Sequence, residues 1–146
     1  MLELRELTVR YGQETAVDSV SLTIPDGPFG IGLVGESGSG KTTIARAIMR
    51  LVGTSGGSVL HDGQDVLRAR GGALRAYRRA VQIVFQDPDL TLDPRMRIGP
   101  AIAEGMRAHG RVSRDAATTR VRTLLTEVGL EPEHAERLPH QPRNLQ

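Results

Sequence analysis

Residues 2–10, Leu2-Glu3-Leu4-Arg5-Glu6-Leu7-Thr8-Val9-Arg10, alternate between apolar and polar side chains, which predicts a strand with one buried face. Tyr11-Gly12-Gln13-Glu14 turns the chain. Ala16 to Ile24 alternates again, and Pro25-Asp26-Gly27-Pro28 ends that second strand with turn chemistry. Phe29-Gly30-Ile31-Gly32-Leu33-Val34 is an almost unbroken apolar run, and so predicts a buried strand with small residues where backbone comes close. Ile44 to Leu51 then carries apolar residues at helical spacing.

Beyond that helix, Gly53 to Gly57 reads as a flexible connector, and Ser58-Val59-Leu60, the turn His61-Asp62-Gly63-Gln64 and Asp65-Val66-Leu67 read as a hairpin. Arg68 to Arg79 predicts a short helix with Ala73, Leu74, Ala76, Tyr77 and Ala80 on its apolar side. Its arginines read better as a solvated face than as a nucleic-acid groove, since no second basic patch or aromatic partner accompanies them. Val81-Gln82-Ile83-Val84-Phe85 predicts a strand that ends at Gln86-Asp87-Pro88. Gln86 could face a ligand at the carboxyl end of a sheet or be a plain strand-end polar residue, and its position alone does not choose. After a polar loop to Met96, Ile98 to His109 predicts a helix closed by Gly110. Ser113 caps a second helix over 114–128 that stops at Gly129, Pro132 to Arg137 forms a short turn, and 138–146 shows no periodicity.

Between the third apolar run and the first helix lies the chemically distinctive stretch, Gly35-Glu36-Ser37-Gly38-Ser39-Gly40-Lys41-Thr42-Thr43. It matches the phosphate-binding pattern G-x-x-x-x-G-K-[ST] at every fixed position, in the order strand, glycine-rich turn, helix. The glycines let successive N–H groups converge on an anion, the helix start adds the positive end of its dipole, Lys41 would meet the terminal phosphates, and the Thr42 hydroxyl would ligate Mg²⁺. Lys41 is also the single lysine among 19 basic residues. A compact ammonium in a chain that otherwise uses guanidinium points to a requirement of the site. Gly30, Gly32 and Gly35 satisfy G-x-G-x-x-G as well, but they lie within the apolar run, and no acidic residue stands about 20 positions on. A dinucleotide-dependent oxidoreductase is rejected on that ground.

Composition narrows the field further. A chain of 146 residues has the length of one domain, and the absence of cysteine excludes disulfides and thiolate metal sites. No apolar run approaches a membrane span, and the N-terminus does not form a signal peptide. A net charge of +2 with two Tyr, two Phe and no Trp argues against nucleic acid as a partner. His61, His109, His134 and His140 are scattered without metal-ligand spacing.

Taken together, the chain resembles the ATP-binding subunits of ABC transporters, and most closely the oligopeptide, dipeptide and nickel importer subgroup, from about Leu2 to Gln141. The likeness is carried by Tyr11, Ala16 to Ser21, Leu33 to Thr43, Val84-Phe85-Gln86-Asp87-Pro88, Leu92-Asp93-Pro94-Arg95-Met96 and Glu127 to Gln141. The resemblance implies an α/β fold: a partial P-loop NTPase with an antiparallel β subdomain and a helical subdomain. Residues 1–96 would form the β subdomain and P-loop core up to the Q-loop, 97–137 the helical subdomain and 138–146 an irregular tail. It further implies that Tyr11 stacks on adenine, that Gly35 to Thr43 bind ATP, that Thr42 and Gln86 reach Mg²⁺, and that Gln86 opens a Q-loop sensing the nucleotide. Permease subunits and a second ATP-binding subunit would be partners, at the cytoplasmic face of the membrane.

The family continues after Pro139-His140-Gln141 into its signature, the Walker B strand, the D-loop and the switch histidine, whereas these residues read Pro142-Arg143-Asn144-Leu145-Gln146. The expectation is an incomplete domain, lacking the C-terminal half of the core, that binds nucleotide but turns over little, because positioning and charge stabilisation carry phosphoryl transfer. An apolar strand edge and one face of the Ile44–Leu51 helix would lack cover, favouring aggregation or pairing with another chain. The alternative is a non-catalytic nucleotide-binding or interaction module that docks on a permease or a full-length ATPase. A folded sample silent towards MgATP would leave only docking.

Overall fold

A computed structural model describes residues 1–28, 30–85, 92–110 and 112–140, the side chain of His109 excepted. Within the described residues the chain forms two compact units, Met1–Ile83 and Val84–Gln146.

The first unit is built on an antiparallel sheet. Strand β1 (Leu2–Tyr11) pairs with β2 (Glu14–Ile24) on one side and with β3 (Gly56–His61) on the other, and β4 (Gln64–Asp65) closes the far edge, in the order β2-β1-β3-β4. The polar pairs Arg5-Glu6 and Asp18-Ser19 each interrupt the apolar alternation by one residue. At both points the backbone inserts a bulge: Glu6 has φ 47° and Ser19 φ 48°, and the β1–β2 register shifts between Leu4 and Leu7 and between Leu7 and Val9. An extra residue resets the period of two, so Leu4, Leu7 and Val9 stay on the buried face of β1 together. Gly56 and Gly57, expected in a connector, belong to β3. Gly57 has φ 78°, and a Cβ there would lie 2.3 Å from the Glu6 carbonyl oxygen, so glycine is what lets β3 follow the bulge in β1. The expected Asp-Gly hairpin is present, with Asp62 at φ 50° and Gly63 at φ 76°.

Helix α1 (Lys41–Ile48) starts three residues earlier than its apolar spacing suggests and buries Ile44 and Ala47 in the core formed by Leu4, Leu7, Val9, Val17 and Val59. One face of this helix is therefore covered, while Leu51, beyond the helix end and within the stretch expected to lack cover, is 57% exposed. Helix α2 (Gly71–Ala80) contributes buried Tyr77 and half-buried Leu74, whereas Ala73, Ala76 and Ala80 are exposed. Tyr77 donates its hydroxyl to the Ile48 carbonyl at 2.7 Å and meets the His61 ring edge-on at 5.5 Å, linking α2, the end of α1 and β3.

Among the described residues the two expected strands, 29–34 and 81–85, are not formed, Phe29 itself lying outside those residues. Residues 30–34 and 81–85 have no regular structure, and Val34 is 98% and Val84 96% exposed. An apolar run becomes a strand only when a neighbour supplies the backbone hydrogen bonds. No described residue pairs with either segment in a sheet, so both stay outside the sheet despite their composition.

The second unit packs α3 (Ile98–His109), α4 (Arg114–Glu127) and a 3₁₀ turn (Pro132–Glu136) around Ala103, Ala117, Val121, Leu125 and Ala135. Ser113 caps α4 as its sequence predicts: its Oγ accepts the Ala116 N–H at 3.2 Å.

Candidate functional site

The glycine-rich stretch forms a loop leading directly into α1. Gly38 and Gly40 both have φ 84°, a left-handed conformation that disfavours any side chain with a Cβ, and the Ser39 N–H closes a turn on the Glu36 carbonyl at 3.2 Å. Gly40 is also where the loop rests on the sheet: a Cβ there would stand 2.3 Å from the Ala16 carbonyl oxygen and 3.4 Å from Val17. Val17 is buried by the alternation of β2, so the strand pattern itself fixes the platform for the loop. Sequence reasoning missed this role of Ala16 and Val17, although their phase in the alternation was available to reveal it.

Lys41 bends back over the loop. Its Nζ donates to the Gly35 carbonyl at 2.8 Å, to the Glu36 carbonyl at 2.6 Å and to Ser39 Oγ at 3.0 Å. An ammonium has three donors, and here each has an oxygen. Gly35 sits tightly within this arrangement, since a Cβ on it would approach Ser39 Oγ at 2.8 Å. The first helical hydrogen bond of α1 runs from the Ile44 N–H to the Gly40 carbonyl at 2.9 Å. The N–H groups of Lys41, Thr42 and Thr43 precede it and so have no intrahelical acceptor. No acidic residue lies in the first turn of α1. The loop thus presents N–H groups, a helix start and one ammonium, which is the donor set of an oxyanion site.

The remaining predicted site residues are distributed around this centre. Glu36 and Ser37 are exposed at the loop tip, and Thr42 is exposed while Thr43 is half-buried in the first turn of α1. Tyr11 is 48% exposed and ends β1 opposite Glu14, two residues before the Ala16 carbonyl that meets Gly40. The β1–β2 hairpin therefore holds an open aromatic ring at the same end of the strand on which the loop rests. Gln86, the other expected Mg²⁺ ligand, lies outside the described residues. Among the described residues no cluster of three His, Asp or Glu forms a separate metal centre, and no helix is long and apolar enough to cross a membrane.

The profile of the ABC transporter family matches residues 17–145. The glutathione import ATP-binding protein GsiA of Escherichia coli strain K12 is 48% identical over 126 residues, 86% of this chain and 20% of that protein. The dipeptide transport ATP-binding protein DppF of Lactococcus lactis subsp. cremoris is 43% identical over 149 residues, 97% of this chain and 47% of that protein. The chain thus spans between a fifth and a half of the length of these curated relatives. Among solved structures, the ATP-binding cassette MJ0796, a dimer in a post-hydrolysis state with ADP and Pi, superposes with a TM-score of 0.77 at 26% identity, covering 97% of this chain and 63% of that one. The cbiO1 protein of Clostridium perfringens, part of the ABC transporter complex cbiONQ, superposes with a TM-score of 0.67 at 25% identity over 92% of this chain and 52% of that one.

Proposed function

Because the chain belongs to the ABC transporter family, we propose that Gly35 to Thr43 hold the phosphates of ATP in the ATP-binding subunit of an importer for peptides or similar small solutes. The observation that carries this reading is the Lys41 ammonium, held at 2.6–3.0 Å by three oxygens of its own loop with the first N–H groups of α1 beside it. Those loop oxygens occupy the donors that phosphate oxygens would take. On binding, Lys41 exchanges the Gly35 and Glu36 carbonyls for the terminal phosphates, a charge-assisted interaction stronger than the one it replaces. The loop N–H groups and the start of α1 take the inner phosphates, and Tyr11 stacks on the base with an aromatic face already open.

Thr42 and Gln86 would hold Mg²⁺, whose chemistry is to neutralise charge on the bridging phosphate oxygens. The relatives GsiA and DppF, named for glutathione import and dipeptide transport, support a peptide-like solute. Membership of the complex cbiONQ by a structural neighbour supports a permease partner at the inner face of the membrane, and the dimeric state of MJ0796 supports pairing with a second ATP-binding subunit.

Calorimetric titration with MgATP tests the reading. Saturable binding that Lys41→Ala weakens by about 10–100-fold, the equivalent of one charge-assisted contact, is expected. A folded sample that gives no heat, or one indifferent to Lys41→Ala, removes the nucleotide role.

A further inference from the structure

The helical unit contains a cavity of about 540 Å³ between α3, α4 and the 3₁₀ turn, a volume within the range of small-molecule sites. Its floor is apolar: Ala103, Val121 and Ala135 are all buried at 9% exposure or less, and Gly99 completes it. A Cβ at Gly99 would stand 2.9 Å from the Ala135 carbonyl oxygen, so glycine keeps the turn closed against α3. The walls are cationic. Arg107, Arg114 and Arg122 line the cavity, with Glu136 as its single acid.

The charges fall into two groups. Glu136 is already neutralised by Arg97 at 2.6 Å, and Arg122 by Glu133 at 3.3 Å. Arg107 and Arg114 have no ion pair with any described residue. Arg107 lies in the last turn of α3 and Arg114 opens α4, and both side chains line the cavity. Thr118, also in the wall, spends its hydroxyl proton on the Arg114 carbonyl at 2.9 Å, and so presents lone pairs rather than a donor. The arrangement is an apolar floor with two guanidinium groups in its wall that no described carboxylate compensates.

We propose that this cavity binds a small amphipathic organic anion, one bearing one or two carboxylates on a short apolar body, with Arg107 and Arg114 taking the carboxylates and Ala103 and Val121 the apolar part. Guanidinium suits carboxylate geometry through paired N–H donors, and the apolar floor excludes a fully hydrated ion such as chloride. The site shares no residue with the phosphate loop, so its failure leaves the nucleotide reading intact, and the converse also holds.

Phthalate, an aromatic dicarboxylate, is the probe. It is titrated into the full 146-residue chain in the Lys41→Ala background, where the phosphate loop is disabled, and followed calorimetrically. Saturable binding is expected. It should weaken at least about tenfold in Arg107→Gln/Arg114→Gln, as loss of charge-assisted bonds dictates. It should survive in Arg120→Gln, which removes a different arginine of α4, paired with Glu127 at 2.7 Å. Because Arg107 and Arg114 are exposed, the double variant is expected to keep its fold; the Lys replacement at both positions, which restores charge without the paired donors, should recover only part of the binding. No saturable binding up to about 10 mM, weaker than any useful small-ligand affinity, overturns the proposal. So does binding of equal strength in the double variant.

Discussion

The Ala16 carbonyl oxygen lies where a Cβ on Gly40 would stand, at 2.3 Å, so the glycine that opens α1 is also the point at which the loop touches β2. Sequence pattern assigns Gly40 to the phosphate motif, and the sheet explains why no larger residue is tolerated. Two independent penalties meet there, a left-handed φ of 84° and a backbone collision. Gly40→Ala is therefore expected to destabilise the first unit by about 1–3 kcal/mol and to abolish MgATP binding, measured by urea denaturation and calorimetry. Gly12→Ala, at φ 63° but with open space around it, should cost less and leave binding in place.

Tyr77 gives a pH dependence. Burial of its ring pushes the phenol up from 10.0 to about 12, with nearby Arg50 opposing the rise. The unfolded state loses this proton near pH 10 while the folded state keeps it, so between pH 10 and 12 the unfolded chain binds fewer protons and stability falls as pH rises. The contribution is complete below pH 10 and gone above 12. Tyr77→Phe should remove this part of the alkaline decline, and should cost about 1 kcal/mol at pH 7 through the lost hydrogen bond to the Ile48 carbonyl. Absorbance of tyrosinate against pH, together with denaturation at pH 7, 10 and 11, checks both parts.

The segments 30–34 and 81–85 make a prediction of another kind. Ile31, Leu33, Val34, Val84 and Phe85 are each at least 43% exposed, two of them almost fully. Unpaired apolar backbone of this sort is a template for strand addition. The 146-residue chain is expected to bind a hydrophobic dye and to self-associate with rising concentration. Val34→Glu/Val84→Glu should reduce both, while shifting stability by no more than about 0.5 kcal/mol because neither side chain is packed. Sedimentation velocity at several concentrations reads the association. A chain that remains monomeric and dye-free would show that these runs are covered.

These same segments mark where the sequence stops being legible. The loop, the helix after it, the Asp62-Gly63 hairpin and the Ser113 cap are local signals, each set by residues within a few positions of one another, and each is present. Val81 to Phe85 has a strand's composition, but a strand also needs a partner, and composition cannot supply one. The bulges at Glu6 and Ser19 lie between these cases: Arg5-Glu6 and Asp18-Ser19 break the alternation visibly, yet only the paired register shows that an extra residue restores it. Within the site, the motif names Lys41 but not its three oxygen partners, and nothing in the spacing of Ile48 and Tyr77 announces their hydrogen bond across 29 residues.

In the proposed function, the loop from Gly35 to Thr43, with Lys41 over it, is a seat for the phosphates of ATP. The most direct measurement is a heteronuclear NMR titration of the labelled chain with MgATP, following backbone amides and the Lys41 side chain. The largest shifts are expected on the amides of Gly38, Gly40, Lys41, Thr42 and Thr43, with the Lys41 ammonium leaving the Gly35 and Glu36 carbonyls. Shifts confined to other residues, or an unaltered loop at saturating MgATP, would contradict it.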